Sequence, residues 1–250
     1  MKFFLDNSHY IDTSTPLDLS LPLAATENNP RAWYVDRPTF EPVRTEHYTG
    51  SVAEGGSVNF RNIYFNPHGH GTHTECLGHI TEKVHSINTI LQQYFFKARV
   101  ITIDPKVIVQ ENGDEDRVIV PEQLDLNGTD IEALIIRTTP NFLDKKTMNY
   151  SSSNPIYFDV ACVEKILAAK IDHLLVDLPS VDRENDGGEL VFHHAFWEVP
   201  ENPNHERTIT ELIFVEDSIE DGEYILSFQV APFENDAAPS RPVLYQIKKD

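Results

Sequence analysis

The stretch NPHGHGTHTECLGHI, residues 66–80, places histidines and a glutamate between glycines. The chain has 11 histidines among 250 residues, so a window of twelve residues would hold about half a histidine if they were evenly spread. Residues 68–79 hold four of them: His68, His70, His73 and His79. Imidazole nitrogen and carboxylate oxygen are the usual protein ligands of Zn²⁺, Mn²⁺ and Fe²⁺. The segment therefore predicts a metal site.

The spacing inside this segment favours convergence of its side chains. Pro67 and the glycines disfavour a helix, and in extended chain residues two apart point to the same side. His73 and Glu75 then share a side, and glycines allow the tight bends that bring near neighbours to one ion. Cys76 lies in the same stretch, but a single thiol among such ligands is more often a packed apolar residue.

The composition excludes several classes of protein. Twenty basic residues against 40 acidic ones give a formal charge of −20, which repels nucleic acids and anionic membranes. We find no apolar run near the roughly 20 residues that span a bilayer, and we expect no signal peptide, because Asp6 interrupts the short apolar patch near residue 1. Two cysteines far apart, Cys76 and Cys162, do not make a disulfide framework. We expect a cytoplasmic protein without a nucleic-acid or membrane partner.

Alternating and helical apolar patterns predict an α/β domain with a mixed or antiparallel sheet, and no domain boundary is evident in residues 1–250. Strands are predicted at 17–23, 58–66, 97–104, 133–140, 171–182, 212–217, 223–230 and 241–247. Helices are predicted at 86–96 and, most clearly, at 158–171. We therefore expect a single domain in which helices and strands alternate in the middle of the chain.

The segment from Gly71 to His79 resembles the signature of the cyclase family of metal-dependent hydrolases, which includes bacterial kynurenine formamidase. Its pattern is His-x-Gly-Thr-His-x-Asp-x-Pro-x-His, matched here by Gly71, Thr72, His73 and His79. Further stretches resemble the family in the same order: DLSLPL (18–23), IIRT (135–138), VDLPSVD (176–182), FHHAFWE (192–198), ITELIFVEDSIEDGEY (209–224) and DAAPSR (236–241). The resemblance covers most of the chain and implies a compact fold of β/β/α type.

The resemblance also implies a ligand set and a metal. One or two divalent ions, zinc or manganese, would be bound by His73, Glu75, His193 and Glu211, with Glu211 also at the reacting centre. His79, the last histidine of the signature, would act as acid and base. This implies hydrolysis of an amide, a formamide such as N-formylkynurenine, or a lactone by a metal-activated water.

Some residues depart from the family's pattern. Gly69 stands where the first ligand histidine is expected, so either His68 or His70 could supply that ligand, and we favour His68. Glu75 replaces an aspartate, and Leu77 replaces a proline. His194 could take the place of His193 as the later ligand.

Further residues near the matched stretches could have either a functional or a structural role. An insertion holding His205 separates the later histidine from Glu211, and His205 could touch substrate. Trp33 and Tyr34 could line a pocket or pack in the core. Asp177, Ser180 and Asp182 could cap a loop as readily as take part in catalysis.

The histidine segment is also compatible with two rival functions. His68-x-His70-x4-Glu75 resembles the first motif of cupins, which would make the protein a metal-dependent dioxygenase built on a β-barrel. The same histidines could instead hold a metal in a non-catalytic binding protein, whose closed shell of four ligands would leave no place for water. For the hydrolase we expect a small-molecule substrate and a homo-oligomer, because members of the family form symmetric assemblies.

Overall fold

A sheet of nine strands runs through the centre of the computed structural model, which describes residues 1–110 and 113–250. The strands of the described residues, in this sheet and in smaller ones, are numbered along the chain: β1 (Lys2–Phe4), β2 (His9–Asp12), β3 (Leu17–Asp18), β4 (Thr39–Pro42), β5 (Arg44–Thr45), β6 (Tyr48–Thr49), β7 (Arg61–Tyr64), β8 (His73–Glu75), β9 (Phe95–Ile103), β10 (Lys106–Val109), β11 (Glu115–Ile119), β12 (Ala133–Thr138), β13 (Tyr157–Phe158), β14 (His173–Val176), β15 (Thr208–Glu211), β16 (Gly222–Ser227), β17 (Ala237–Pro239), β18 (Val243–Gln246) and β19 (Lys248–Lys249).

Helices are few and short. The α-helices of the described residues are α1 (Ile87–Ile90), α2 (Cys162–Ala168) and α3 (Val191–Trp197). Short 3₁₀ helices lie at Val52–Glu54, Leu77–His79, Pro121–Gln123 and Leu143–Lys146. No helix in the described part of the chain has the length and apolar character needed to cross a membrane.

The central sheet is parallel in the middle and antiparallel at its sides. Its order is β17-β8-β15-β14-β12-β9-β16-β18-β3. The ladders joining β9, β12, β14 and β15 are parallel, whereas β8 pairs antiparallel with both β15 and β17. The chain reaches β14 from β12 through α2, and β15 from β14 through α3, as parallel neighbours require. Smaller sheets are formed by β1-β2-β19, β10-β11-β13, β4-β7 and β5-β6.

One large apolar core joins the sheet to its helices. Strand β12 is buried along its whole length, as its continuous apolar run predicts for a parallel strand covered on both faces. Helix α2 contributes Cys162, Val163 and Ile166 to this core, and α3 contributes Phe192, Phe196 and Trp197. The predicted mixed α/β fold is confirmed.

Two predicted elements were wrong. The helix predicted at 86–96 ends at Ile90, because Phe95 and Phe96 join β9 and pair with Ser227 and Leu226 of β16. Sheet pairing of aromatic residues outweighs local helical preference here. The strand predicted at 212–217 does not form; the strand is Thr208–Glu211, and the backbone turns left-handed at Leu212 with φ 53°.

A buried histidine makes stability depend on pH. His173 lies between Phe96 and Phe228 with Nδ1 2.9 Å from Thr208 Oγ1, and burial lowers its pKa to about 4. An unfolded histidine titrates near 6.5, so between these values the unfolded chain binds a proton that the folded chain does not. The free energy of unfolding should therefore fall as pH decreases, by about 2 kcal/mol from pH 7 to pH 5.

The substitution His173→Asn should remove this part of the pH dependence while keeping a polar partner for Thr208. Urea unfolding at pH 7 and pH 5 measures it. His47→Asn, at an exposed side chain, serves as the control and should retain the wild-type dependence. If the free energy of unfolding fell by the same amount between pH 7 and pH 5 in the wild type and in His173→Asn, the assignment to His173 would be contradicted.

Candidate metal centre

Strand pairing brings distant parts of the chain to one point. Strand β8 lies between β15 and β17, with His73 opposite Glu211 and Glu75 opposite Ala237. Side chains of directly opposed residues lie on the same face of a sheet, a few ångströms apart. Hence His73 and Glu75 of the glycine-rich segment meet the glutamate of a strand more than 130 residues later.

The glycines shape the approach to β8. Gly71 has φ +146°, a conformation that favours glycine, and its carbonyl oxygen lies 2.9 Å from Nδ1 of His73. A Cβ at Gly69 would lie 2.7 Å from a methyl group of Val35, so this backbone packs where a side chain would clash. The loop therefore holds the ring of His73 through its Nδ1–H. The other ring nitrogen, Nε2, is left to face Glu211 of β15.

His73 and Glu211 form the inner part of the centre. Nε2 of His73 lies 3.3 Å from Oε2 of Glu211, and both residues are almost completely buried. Burial raises the pKa of Glu211, and the nearby charge of Glu75 raises it further. A buried carboxylate of this kind needs a positive charge beside it.

Glu75 connects the inner part to three further histidines. Its Oε1 lies 3.1 Å from Nε2 of His193, and its Oε2 lies 3.0 Å from Nδ1 of His68 and 3.9 Å from Nδ1 of His79. Glu75 has no solvent exposure. Despite that burial, the surrounding imidazoles hold its pKa well below the usual range. Glu75 is thus an ionised carboxylate enclosed by histidine side chains.

His193 is oriented by the start of α3. Asp182 accepts hydrogen bonds from the backbone N–H groups of Phe192 (2.8 Å) and His193 (3.1 Å). Its Oδ2 also lies 2.6 Å from Nδ1 of His193. Asp182 therefore binds the start of the helix and holds the imidazole with Nε2 towards Glu75, as carboxylate–histidine pairs do around protein metals.

The electrostatic field at the centre favours positive charge. Burial on its own would lower the pKa of His68 and His193. Contacts with Asp236 and Glu75 instead raise the pKa of His68 to about 10. Contacts with Asp182 and Glu75 raise the pKa of His193 to about 10. The same field favours a divalent cation, whose binding displaces protons from such imidazoles.

Unsatisfied atoms show that the residues fit a metal. Nε2 of His73, Oε2 of Glu75 and Oε1 of Glu211 are buried and have no hydrogen-bond partner among the described residues. Buried polar atoms of folded proteins normally have partners. His68, His73 and Glu75 present ligand atoms within 4.8 Å of one another, and so do Glu75, His79 and His193. Nitrogen and oxygen donors of this kind suit Zn²⁺ or Mn²⁺.

Of the two candidates for the first ligand, the structure brings His68 to the centre and directs His70 elsewhere. Nδ1 of His70 accepts a hydrogen bond from the backbone N–H of Asn66 (2.7 Å), and its Nε2 lies 2.6 Å from the carbonyl oxygen of Asp36. Both ring nitrogens of His70 are engaged by backbone groups, so in this structure neither faces the cluster. Its ring secures the loop instead.

Geometry also decides between His193 and His194. His194 directs Nδ1 at the carbonyl oxygen of Val199, 3.2 Å away, whereas Nε2 of His193 reaches Glu75. The later histidine of the cluster is therefore His193.

Two more residues singled out from the sequence make contacts outside the cluster. His205 packs edge-on against His85, with ring centroids 4.8 Å apart. Cys76 is fully buried, with Sγ directed at the carbonyl oxygen of His85. Cys76 thus behaves as the packed small residue that the sequence predicts.

Asp236 is a member of the cluster that sequence reasoning missed as a site residue. Its Oδ2 lies 2.8 Å from Nε2 of His68 and 3.4 Å from Nδ1 of His79. The rings of these two histidines stack, with centroids 4.3 Å apart. The DAAPSR match at 236–241 pointed to this stretch, but nothing in it indicated that the aspartate faces the histidines.

A cavity of about 310 Å³ opens on the cluster. His68, His79, His193 and Glu211 line it on one side. Its other lining residues are Trp33, Asn66, Ser180, Arg183, Glu184, Asp186 and Leu190. The candidate ligands are therefore accessible to a small molecule, which distinguishes this centre from a closed structural site.

The sequence model of the Cyclase family, described as "Putative cyclase", matches residues 17–183. The chain belongs to the Cyclase family. The cupin interpretation was wrong, as the parallel centre of the sheet also indicates. A comparison with curated proteins found no match by sequence.

Solved structures share the fold of this Cyclase-family chain. One is titled as a potential metal-dependent hydrolase with cyclase activity, at 16% identity and TM-score 0.63, covering 92% of this chain and 97% of that one. Isatin hydrolase A from Labrenzia aggregata, bound to benzyl benzoate, has 13% identity and TM-score 0.65, covering 92% and 93%. Isatin hydrolase A from Ralstonia solanacearum has 13% identity and TM-score 0.61, covering 92% and 91%.

Because His73 lies in the cluster and His70 does not, replacing each should have opposite effects on the stabilisation that added metal gives. Adding Zn²⁺ or Mn²⁺ at about 100 times the dissociation constant should raise the free energy of unfolding of the wild type by about 2.7 kcal/mol relative to chelator. His73→Ala should lose this increase, because it removes an unpartnered buried nitrogen of the cluster. Chemical unfolding with metal and with chelator measures both.

His70→Ala is the matched control. It should lower stability in both conditions, since it removes two contacts to the backbone, yet keep the increase on adding metal. A metal-dependent increase that survives in His73→Ala and vanishes in His70→Ala would reverse the assignment.

Proposed function

We propose that this chain is a metal-dependent hydrolase that cleaves an amide, formamide or lactone bond with a metal-activated water. The observation that carries the proposal is the set of unpartnered atoms on His73, Glu75 and Glu211, in a cluster that borders an open cavity. A structural metal would be enclosed by its ligands, whereas a catalytic one needs a free position that substrate can reach.

The residues that would hold the ion are His68, His73, Glu75, His193 and Glu211. A divalent cation held by these residues would lower the pKa of a water ligand towards 7 and would polarise a carbonyl oxygen. Glu75 contacts His193 of α3 through one carboxylate oxygen and His68 of the loop through the other, so both of its oxygens would be available as ligand atoms, and we propose one or two ions. We propose zinc or manganese, because the donors are nitrogen and oxygen with no thiolate among them.

His79 is proposed to move the proton between the attacking and leaving groups. It lies on the 3₁₀ helix after β8, is partly exposed, and lines the cavity beside His68. Its Nδ1 is directed at Asp236, which leaves Nε2 free to exchange a proton with substrate. An imidazole suits this work because it can both accept and donate a proton at a positioned nitrogen.

The cavity indicates the class of substrate. Trp33 and Leu190 supply an apolar surface, while Asn66 and Ser180 supply hydrogen-bonding groups. This combination suits a small planar molecule with a polar edge. Isatin hydrolases share the fold, which supports a cyclic amide or the formamide of an aromatic amine, such as N-formylkynurenine.

Metal content and turnover together test the proposal. Purified protein would be analysed for metal and then assayed, with Zn²⁺ or Mn²⁺, on N-formylkynurenine, isatin and a panel of amides and lactones. We expect bound metal and hydrolysis of at least one member. Bound metal without turnover on the whole panel would favour a non-catalytic metal-binding protein.

Replacing His79 separates acid–base catalysis from metal binding. His79→Ala should keep its metal and lose about 10²–10⁴-fold in kcat, the contribution typical of a positioned acid or base. His205→Ala, at an exposed histidine outside the cavity lining, should retain activity. Loss of metal from His79→Ala would instead identify His79 as a ligand.

We propose a small-molecule substrate, one domain over residues 1–250, a cytoplasmic location and a homo-oligomer. Light scattering after size-exclusion chromatography measures the assembly.

A further inference from the structure

We propose that Asp236 is a positioning residue that sets the orientation and the protonated nitrogen of two histidines at once, His68 as a metal ligand and His79 as the acid and base. The inference rests on the proposed function. It goes beyond it, because it assigns a role to a residue outside the ligand set. The observation that carries it is one carboxylate oxygen, Oδ2, within 2.8 Å of His68 Nε2 and 3.4 Å of His79 Nδ1.

The backbone places Asp236 firmly. It directly precedes β17, whose Ala237 pairs with Glu75 of β8. Its own carbonyl oxygen accepts a hydrogen bond from the N–H of Cys76, 3.1 Å away. The strand that carries His73 and Glu75 therefore also sets the backbone position of Asp236 next to the histidines.

The contact with His68 decides which nitrogen faces the centre. A carboxylate accepts but does not donate, so it selects the form of His68 that carries its proton on Nε2. Nδ1 then faces Glu75 Oε2, 3.0 Å away. A proton or a metal ion must lie between these two atoms, and a divalent cation that displaces the proton meets a nitrogen lone pair and a carboxylate oxygen.

The contact with His79 has the same effect on the second ring. The carboxylate favours the form with the proton on Nδ1 and leaves Nε2 as the working nitrogen. Because the rings of His68 and His79 stack 4.3 Å apart, a change at one ring is transmitted by packing to the other. Asp236 is thus the counterpart, on the β17 side, of Asp182 on the α3 side, which holds His193 through Nδ1 at 2.6 Å.

The substitution Asp236→Asn tests this role. The carbonyl oxygen of an amide can take the position of Oδ2, but it carries no negative charge and is a weaker acceptor than a carboxylate oxygen, so it holds the two ring N–H groups less firmly. We expect metal affinity, measured by competition with a chromophoric chelator, to fall about 10–100-fold, the usual cost of losing such a partner. Asp236→Glu should recover part of this affinity, since it restores the carboxylate.

Imidazole ¹⁵N chemical shifts of the Zn²⁺-loaded protein give a second readout that a merely structural role would not move. We expect Nε2–H for His68 and Nδ1–H for His79 in the wild type, and a changed form of at least one ring in Asp236→Asn. Glu234→Gln is the control, because Glu234 is exposed, pairs with Asn88, and lies two residues away. It removes the same charge and should change neither affinity nor shifts.

The outcomes separate this inference from the proposed function. A wild type that binds no Zn²⁺ or Mn²⁺ removes the metal centre itself and the inference with it. If the wild type binds metal and Asp236→Asn binds it equally well with unchanged shifts, the inference alone fails. A loss of one whole ion per chain in Asp236→Asn, instead of weaker binding, would make Asp236 a ligand and overturn the positioning role. Melting of the metal-free proteins checks that the variants fold.

Discussion

The antiparallel register of β8 against β15 is the constraint on which the rest of the centre depends. It sets His73 opposite Glu211 and so encloses a carboxylate where burial disfavours charge. Glu75, two residues along the same face, adds a second buried carboxylate. Two carboxylates in so dry a place are stable only with compensating positive charge. The surrounding histidines provide part of it, and their raised pKa values express the same demand.

Two carboxylates outside the proposed ligand set, Asp182 next to α3 and Asp236 next to β17, hold the histidines of the cluster. Asp182 binds the start of α3 and the ring of His193 together, so the geometry of the helix end and of the imidazole are coupled. Asp236, placed by β17, lies against His68 and His79. Asp182 holds His193, and Asp236 holds His68, by the ring nitrogen that faces away from Glu75, the arrangement in which carboxylates orient histidine ligands of metals.

The parallel centre of the fold was predictable because its signal is local. Strand β12 is buried on both faces, which requires a continuous apolar run. Helix α2 is buried on one face, which requires apolar residues at helical spacing. Elements whose form depends on partners were not. Phe95 and Phe96 read as the end of a helix but extend β9, since β16 pairs with them. The segment after Glu211 reads as a strand but turns away at Leu212.

The sequence by itself determined the residue types of the cluster: a dense group of imidazoles on a glycine-rich segment, an adjacent carboxylate, and a later histidine and glutamate. Only the tertiary structure decided which neighbours take part. His68 enters and His70 does not, because the loop satisfies both nitrogens of His70 with backbone groups. Asp236 joins because β17 pairs with β8, two strands far apart in the chain whose contact no local pattern encodes. The sequence gives the type of each residue, whereas the direction of its side chain depends on strand register and turn geometry, which form only on folding.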